Sequence, residues 1–201
     1  MMFIVGLTGG IASGKSTISS YYQSLNIQVI DADVESRLAV EKGEPAYLEI
    51  VAHFGKDILQ GDGTLNRQRL GEIIFSNEAE RNVLNSIVHP DVRRRMDEKQ
   101  KLAAEAGEKI VILDIPLLFE NKLNQTVDRT ILVYVDEDVQ IDRLMKRNNL
   151  SYKHAVNRIK AQMTLKEKID LADEVINNNG SIEESLQQAK EILKKWNVYP
   201  I

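Results

Sequence analysis

The sequence contains no cysteine, which excludes disulfides, thiolate metal sites and a cysteine nucleophile, and fits the cytoplasm. Aromatic side chains are scarce, 5% of 201 residues, so the core must be assembled mainly from Ile, Leu and Val. A basic excess is missing too. The formal net charge is −4, which speaks against a chain whose main task is gripping DNA or RNA over a wide surface. A local basic pocket remains compatible with it. No apolar run approaches the roughly 18 residues that a membrane-spanning helix needs. The apolar opening, Met1-Met2-Phe3-Ile4-Val5, has no basic leader and runs straight into glycines and Lys15. It therefore reads as a first strand rather than a signal peptide. What is present, 43% hydrophobic and 28% charged residues, is ordinary globular composition. The length suits one compact α/β domain with a small insertion.

Short runs rich in Ile and Val occur at Phe3 to Thr8, Ile27 to Ile30, Ile110 to Leu113 and Thr130 to Val135, with a weaker one at Glu174 to Asn177. Such runs suit strands buried on both faces of a parallel sheet. Helical stretches separate them, the pattern of an α/β fold with right-handed crossovers. Thr164 with Glu167, and Ser181 with Glu184, have capping-box spacing. Pro90 suits the first turn of a helix. One crossover is abnormally long: about eighty residues separate Ile30 from Ile110, where a helix of about a dozen would serve. Within it Tyr47, Ile50, Val51 and Phe54 recur at helical spacing, as do Val83, Leu84, Ile87 and Val88. The segment reads as a helical insertion, with a polar turn from Asp57 to Gly63.

Residues Gly9-Gly10-Ile11-Ala12-Ser13-Gly14-Lys15-Ser16 fit the phosphate-loop pattern GxxxxGK(S/T) without a gap. Glycines let the backbone turn sharply, so successive N–H groups can point at phosphate oxygens. The helix that follows adds the positive end of its dipole. The nucleotide contacts are expected from Gly10 through Thr17. Lys15 would reach the β and γ phosphates, and the Ser16 hydroxyl would ligate Mg2+. A chance glycine-rich turn is the alternative, and context decides against it: an apolar strand precedes, and Ile18, Tyr22 and Leu25 follow on an amphipathic helix. Lys109 to Asp114 is an apolar strand ending in a carboxylate. Asp114 is either the aspartate that helps hold Mg2+ or simply the start of a turn.

The guanine-reading NKxD box is absent; the nearest match, Asn121-Lys122-Leu123-Asn124, lacks the Asp. The short chain, the insertion and a late basic helix suit a small-molecule kinase with an acceptor-binding subdomain and a closing lid. One domain is expected, with a core of 1–33, 108–138 and 171–201, an acceptor-binding insertion of about 34–107 and a lid of about 139–165. Asp31-Ala32-Asp33 follows the second strand directly, and the carboxyl ends of parallel strands face the ligand crevice. Asp31 is assigned the helix cap. Asp33 is assigned the chemistry, aligning and deprotonating an attacking hydroxyl. Arg143 and Arg147, four apart on one helix face, either neutralise charge on the transferring phosphoryl group or form a solvated basic face. Arg158 is a further candidate.

The ordered set of motifs resembles the dephospho-coenzyme A kinase family over nearly the whole chain. It comprises Leu7 to Ser16, Asp31-Ala32-Asp33, His89-Pro90 and Asp114-Ile115-Pro116-Leu117-Leu118-Phe119-Glu120. Arg143 and Arg147 follow, then Arg158 to Gln162, and Ala172-Asp173 through Val175-Ile176-Asn177-Asn178 to Gly180. The resemblance implies a P-loop kinase fold with a five-stranded parallel core, and transfer of the ATP γ-phosphoryl group to the ribose 3′-hydroxyl of dephospho-CoA, with Mg2+. It makes Asp33 the base and brings in His89, Leu117, Phe119 and Glu120 as candidate acceptor contacts, and Asn178 as a candidate ATP contact. The expected partners are these two small molecules, with no nucleic acid and no membrane, and a monomer or weak homo-oligomer. Another small kinase, or a non-catalytic nucleotide-binding module, would share the loop. One departure is visible: position 12 is Ala where the family often has Gly, a methyl group that the motif itself tolerates.

Overall fold

The computed structural model describes residues 2–198; Met1, at the head of the apolar opening, lies outside them. Two compact units divide the chain, one of residues 1–30 and 103–201 and one of residues 31–102.

The first unit is built on a five-stranded sheet. Its strands are β1 (Phe3–Gly9), β2 (Gln28–Asp31), β3 (Ile110–Asp114), β4 (Arg129–Tyr134) and β5 (Glu174–Asn177). Their order is β2-β3-β1-β4-β5, and β1 pairs in parallel with β3 and β4, as β4 does with β5. The most apolar runs take the middle. Val5 and Leu7 of β1 and Ile131 to Val133 of β4 have no solvent exposure, which explains why these strands carry no alternating polar residues. On one face α1 (Lys15–Ser24) and α9 (Ile182–Lys195) cover the sheet with Ile18, Tyr22, Ala189 and Leu193. The Tyr22 hydroxyl donates to the Ala189 carbonyl at 3.3 Å, and burial pushes its pKa well above the ordinary phenol value. Gly6 is fixed by packing: a Cβ there would sit 2.9 Å from Leu118 Cδ2. Downstream of β4 come α6 (Glu137–Asn148), α7 (Tyr152–Lys160) and the short α8 (Leu165–Ile169). Both capping boxes expected from spacing are formed, at Thr164 with Glu167 and at Ser181 with Glu184.

The second unit contains α2 (Ala32–Ala39), α3 (Pro45–Phe54), α4 (Arg67–Ser76) and most of α5 (Glu78–Glu105). Tyr47, Ile50, Ile58, Leu65 and Leu70 form its core, with Leu84, Ile87 and Val88 against them. Buried Glu35 is ion-paired with Lys99, and with Arg95 at 3.5 Å. Pro90 does not open a helix. It lies inside α5, a 28-residue helix, whose start is set by Asn77: its Oδ1 accepts from Ala79 N at 3.0 Å and Glu80 N at 3.3 Å. An Asn cap and long helical periodicity on both sides override one missing N–H, the local cost of an internal proline. Among the described residues no helix is long and apolar enough to cross a membrane.

Candidate active site

The phosphate loop leaves β1 at Gly9 and enters α1 at Lys15. Gly14 is the N-cap of α1, with a left-handed φ of 93°, and no side chain caps the helix. The first-turn amides of α1 are thereby kept for an anionic ligand. A Cβ on Gly14 would collide with Asn178 Nδ2, and one on Gly10 would lie 2.7 Å from Gln140 Nε2. Ala12 has φ 61°, a left-handed conformation that costs a residue with a Cβ roughly 1–2 kcal/mol. The methyl group that the motif tolerates is therefore strained, and a glycine would fit the same turn. Ser13 Oγ is buried and has no hydrogen-bond partner among the described residues, an orphan that a bound phosphate could satisfy.

Distant side chains hold the loop from behind. The Ile11 carbonyl accepts from Gln140 Nε2 at 2.7 Å, and its N–H donates to Gln162 Oε1 at 3.0 Å. Asn178 Nδ2 donates to the Ser13 carbonyl at 2.7 Å, and its Oδ1 accepts from Ser185 Oγ at 2.8 Å. Arg143 Nη2 donates to the Asn178 carbonyl at 2.9 Å. Lys168, fully buried, contacts the Gly9 and Pro116 carbonyls and pairs with Glu120. Asn178 thus supports the loop with its side chain. Sequence reasoning assigns no role to Gln140, Gln162 or Lys168; Gln140 merely opens the segment that carries Arg143 and Arg147, and Gln162 ends the motif that begins at Arg158. For Lys168 one signal existed: it shares a helix face with apolar Leu165 and Ile169.

Lys15 is ion-paired with Asp114 at the carboxyl end of β3. The Ser16 hydroxyl, on the exposed start of α1, and the Asp114 carboxylate are hard oxygen donors of the kind Mg2+ takes. Among the described residues no three His, Asp or Glu side chains cluster to hold a metal. Two protein oxygens fit a cation that is bound together with phosphates.

Asp31 does cap α2: its Oδ1 accepts from Asp33 N at 2.8 Å and Val34 N at 3.1 Å. Asp33, in the first turn, is exposed. His89 is exposed on α5; partial desolvation, then the charge of Arg93, holds its imidazolium pKa below the ordinary value. Of the segment after β3, Leu117 is 38% exposed while Leu118 and Phe119 are buried. Glu120 accepts from Met163 N at 3.2 Å besides pairing with Lys168. The two arginines of α6 part company, since Arg147 is exposed and bonds Asn148 Oδ1 at 2.9 Å. Arg158 is exposed as well.

The dephospho-CoA kinase family model matches residues 3–184. A dephospho-CoA kinase of Oceanobacillus iheyensis is 56% identical over 198 residues, 98% of this chain and 100% of that one. A solved Thermus thermophilus protein superposes with a TM-score of 0.82 at 33% identity, covering 96% of this chain and 97% of its own. A dephospho-CoA kinase from Campylobacter jejuni does so with a TM-score of 0.74 at 26% identity, covering 98% of each chain. A phosphate loop at the end of a central parallel strand, and matches that run almost end to end, give one result: the chain belongs to the dephospho-CoA kinase family, the kinases of the last step of coenzyme A biosynthesis.

Proposed function

We propose that this kinase binds ATP on the loop from Gly10 to Thr17 and uses Asp33 to direct the ribose 3′-hydroxyl of dephospho-CoA at the γ phosphorus. The observation that carries the donor half is the uncapped start of α1 beside the orphaned Ser13 hydroxyl. Loop amides and the helix dipole take the phosphates, and Lys15 exchanges Asp114 for β and γ oxygens. Ser16 and Asp114 would hold Mg2+ together with ATP, and the ion would there neutralise phosphate charge.

For the acceptor half, the support is connectivity and freedom. Asp33 follows the carboxyl end of β2 by two residues, and the cap role belongs to Asp31. The 3′-oxygen forms a bond to the γ phosphorus as the bond to the β-bridging oxygen breaks. Its proton passes to the Asp33 carboxylate, and ADP leaves with the electron pair of the broken bond. Because the transition state is loose, alignment of the hydroxyl matters as much as basicity. Arg143 and Arg147 balance charge on the moving phosphoryl group as the lid of about 139–165 closes. His89 and Leu117 retain surface for acceptor contacts, the insertion of about 34–107 being the acceptor-binding part. Phe119 and Glu120 act from beneath that surface. The protein works in the cytoplasm on two small molecules, as a monomer or weak homo-oligomer, and the acidic net charge gives it no general hold on nucleic acid.

The test is ADP release with dephospho-CoA, adenosine, nucleoside monophosphates and gluconate, with the product mapped by phosphorus NMR. Turnover confined to dephospho-CoA, with phosphate on the 3′ position, is the expected result. Preference for another acceptor, or ATP binding without turnover on any, overturns the reading.

A further inference from the structure

Lys168, on α8, is a lysine with no solvent exposure. Its ammonium lies 2.9 Å from Glu120 Oε1, 3.3 Å from the Pro116 carbonyl and 3.4 Å from the Gly9 carbonyl. A buried charge is unfavourable unless paired and hydrogen-bonded, and here all three partners are oxygens. Replacing a buried ion pair by apolar groups of similar size is often neutral or stabilising. Stability alone therefore gives no reason for an ammonium at this point. Nor is the pair optimised for stability: Glu120 Oε2 is buried with no hydrogen-bond partner among the described residues.

The position of the three oxygens supplies a reason. Gly9 ends β1 and opens the phosphate loop, and Pro116 lies two residues beyond Asp114. The last main-chain bond between these strand ends runs from Ile115 N to the Leu7 carbonyl, at 2.9 Å. Past that point two side chains join the strand ends. Thr8 Oγ1 donates to the Pro116 carbonyl at 3.0 Å, and Lys168 bridges the Pro116 and Gly9 carbonyls. Glu120, the counter-charge, also accepts from Met163 N, next to Gln162, which holds the Ile11 N–H. The buried ammonium thus joins the phosphate loop, the strand end bearing Asp114 and the segment leading into α8.

We propose that Lys168 is a positioning residue for phosphoryl transfer. It sets the spacing between the start of the phosphate loop and the end of β3, and through it the register of Lys15 with Asp114. The inference rests on the reading of the loop as the ATP donor site. Lys168 has no exposed atom with which to meet ATP, so its effect passes through the two carbonyls. Amides at the start of α1 do not depend on it, so ATP binding should survive while alignment of the reacting groups suffers.

Lys168→Met keeps chain length and removes the charge. In folded protein, kcat should fall by roughly 10-fold to 10²-fold, the scale of a small misplacement, with the KM for ATP within about threefold of the parent. A folded Lys168→Met enzyme with parental kcat, or one altered only in thermal midpoint, overturns the proposal. Should that variant fail to fold, Glu120→Gln decides, because it keeps the shape and removes the counter-charge. A lower kcat at an unchanged thermal midpoint supports the role; an unchanged kcat overturns it. Lys15→Ala is measured alongside. If it too keeps parental turnover, the donor-site reading fails; if Lys15→Ala is inactive and Lys168→Met is not, only the positioning role fails.

Discussion

The ammonium of Lys15, at the first position of α1, is paired with the carboxylate of Asp114, at the last position of β3. The Asp114 side chain is only 3% exposed and that of Lys15 17%, and Asp114 stands opposite Leu7 in the β1–β3 register. The phosphate loop is thereby tied to the neighbouring strand by the same lysine that the proposed donor site assigns to the nucleotide. ATP binding would transfer that lysine to phosphate oxygens and release the aspartate toward the metal.

Lys15→Ala should lower turnover by roughly 10²-fold to 10³-fold, as loss of a pre-placed cation at a transferring phosphoryl group does, with little loss of thermal stability. Asp114→Asn and Ser16→Ala should each raise the Mg2+ concentration needed for half-maximal rate. Near-normal turnover in folded Lys15→Ala, or Mg2+ titrations that coincide with the parent's, would count against these assignments.

Asn178→Ala removes the donor to the Ser13 carbonyl and the acceptor of the Ser185 hydroxyl. The Ser13 carbonyl would then lack its partner, at a cost of about 1–3 kcal/mol, while the Ser185 hydroxyl keeps its bond to the Ser181 carbonyl at 3.1 Å. A lower thermal midpoint and a higher KM for ATP are expected together. Unchanged values of both would show that the side chain does not hold the loop.

Much of this was legible because it is local. The five strands lie within a residue or two of the apolar runs, since a strand buried on both faces is written as continuous Ile and Val. Asp31 and the two capping boxes follow from side chains bonding backbone two or three residues away. Gln162, Gln140 and Lys168 reach the loop across 151, 129 and 159 positions, and no window along the chain contains both partners. Lys168 looks like a neighbour of the exposed Lys166. Pro90 misled for the opposite reason: a local signal was overruled by a helix that was already capped at Asn77.

Ala12→Gly relieves the left-handed strain of about 1–2 kcal/mol but loosens the unfolded chain by about 0.4–1 kcal/mol. A small net gain in stability, up to about 1.6 kcal/mol, is expected from denaturant unfolding, with ATP affinity at least equal to the parent's. A clear loss of stability would mean that the φ of 61° at this position is not strained.

Hydrogen bonds from Thr164 hold the Glu167 carboxyl below its ordinary pKa. A depressed carboxyl pKa contributes stability above the unfolded value, and that contribution is lost as pH falls through the folded one. Thr164→Ala should therefore be less stable than the parent at neutral pH, and the gap should narrow in acid below the folded pKa. A gap in thermal midpoint that stays constant across that range would contradict the linkage.

Asp33 and Asp31 provide the most direct test, because the account divides two adjacent carboxylates by role. Single-turnover phosphoryl transfer to dephospho-CoA and equilibrium ATP binding are measured for Asp33→Asn and Asp31→Ala. Asp33→Asn should transfer roughly 10²-fold or more slowly, the scale of a lost general base, with ATP affinity and thermal midpoint close to the parent's. Asp31→Ala should lose about 1 kcal/mol of stability as a missing helix cap does, and keep its chemistry. An active Asp33→Asn enzyme beside an inactive, fully folded Asp31→Ala would contradict the account.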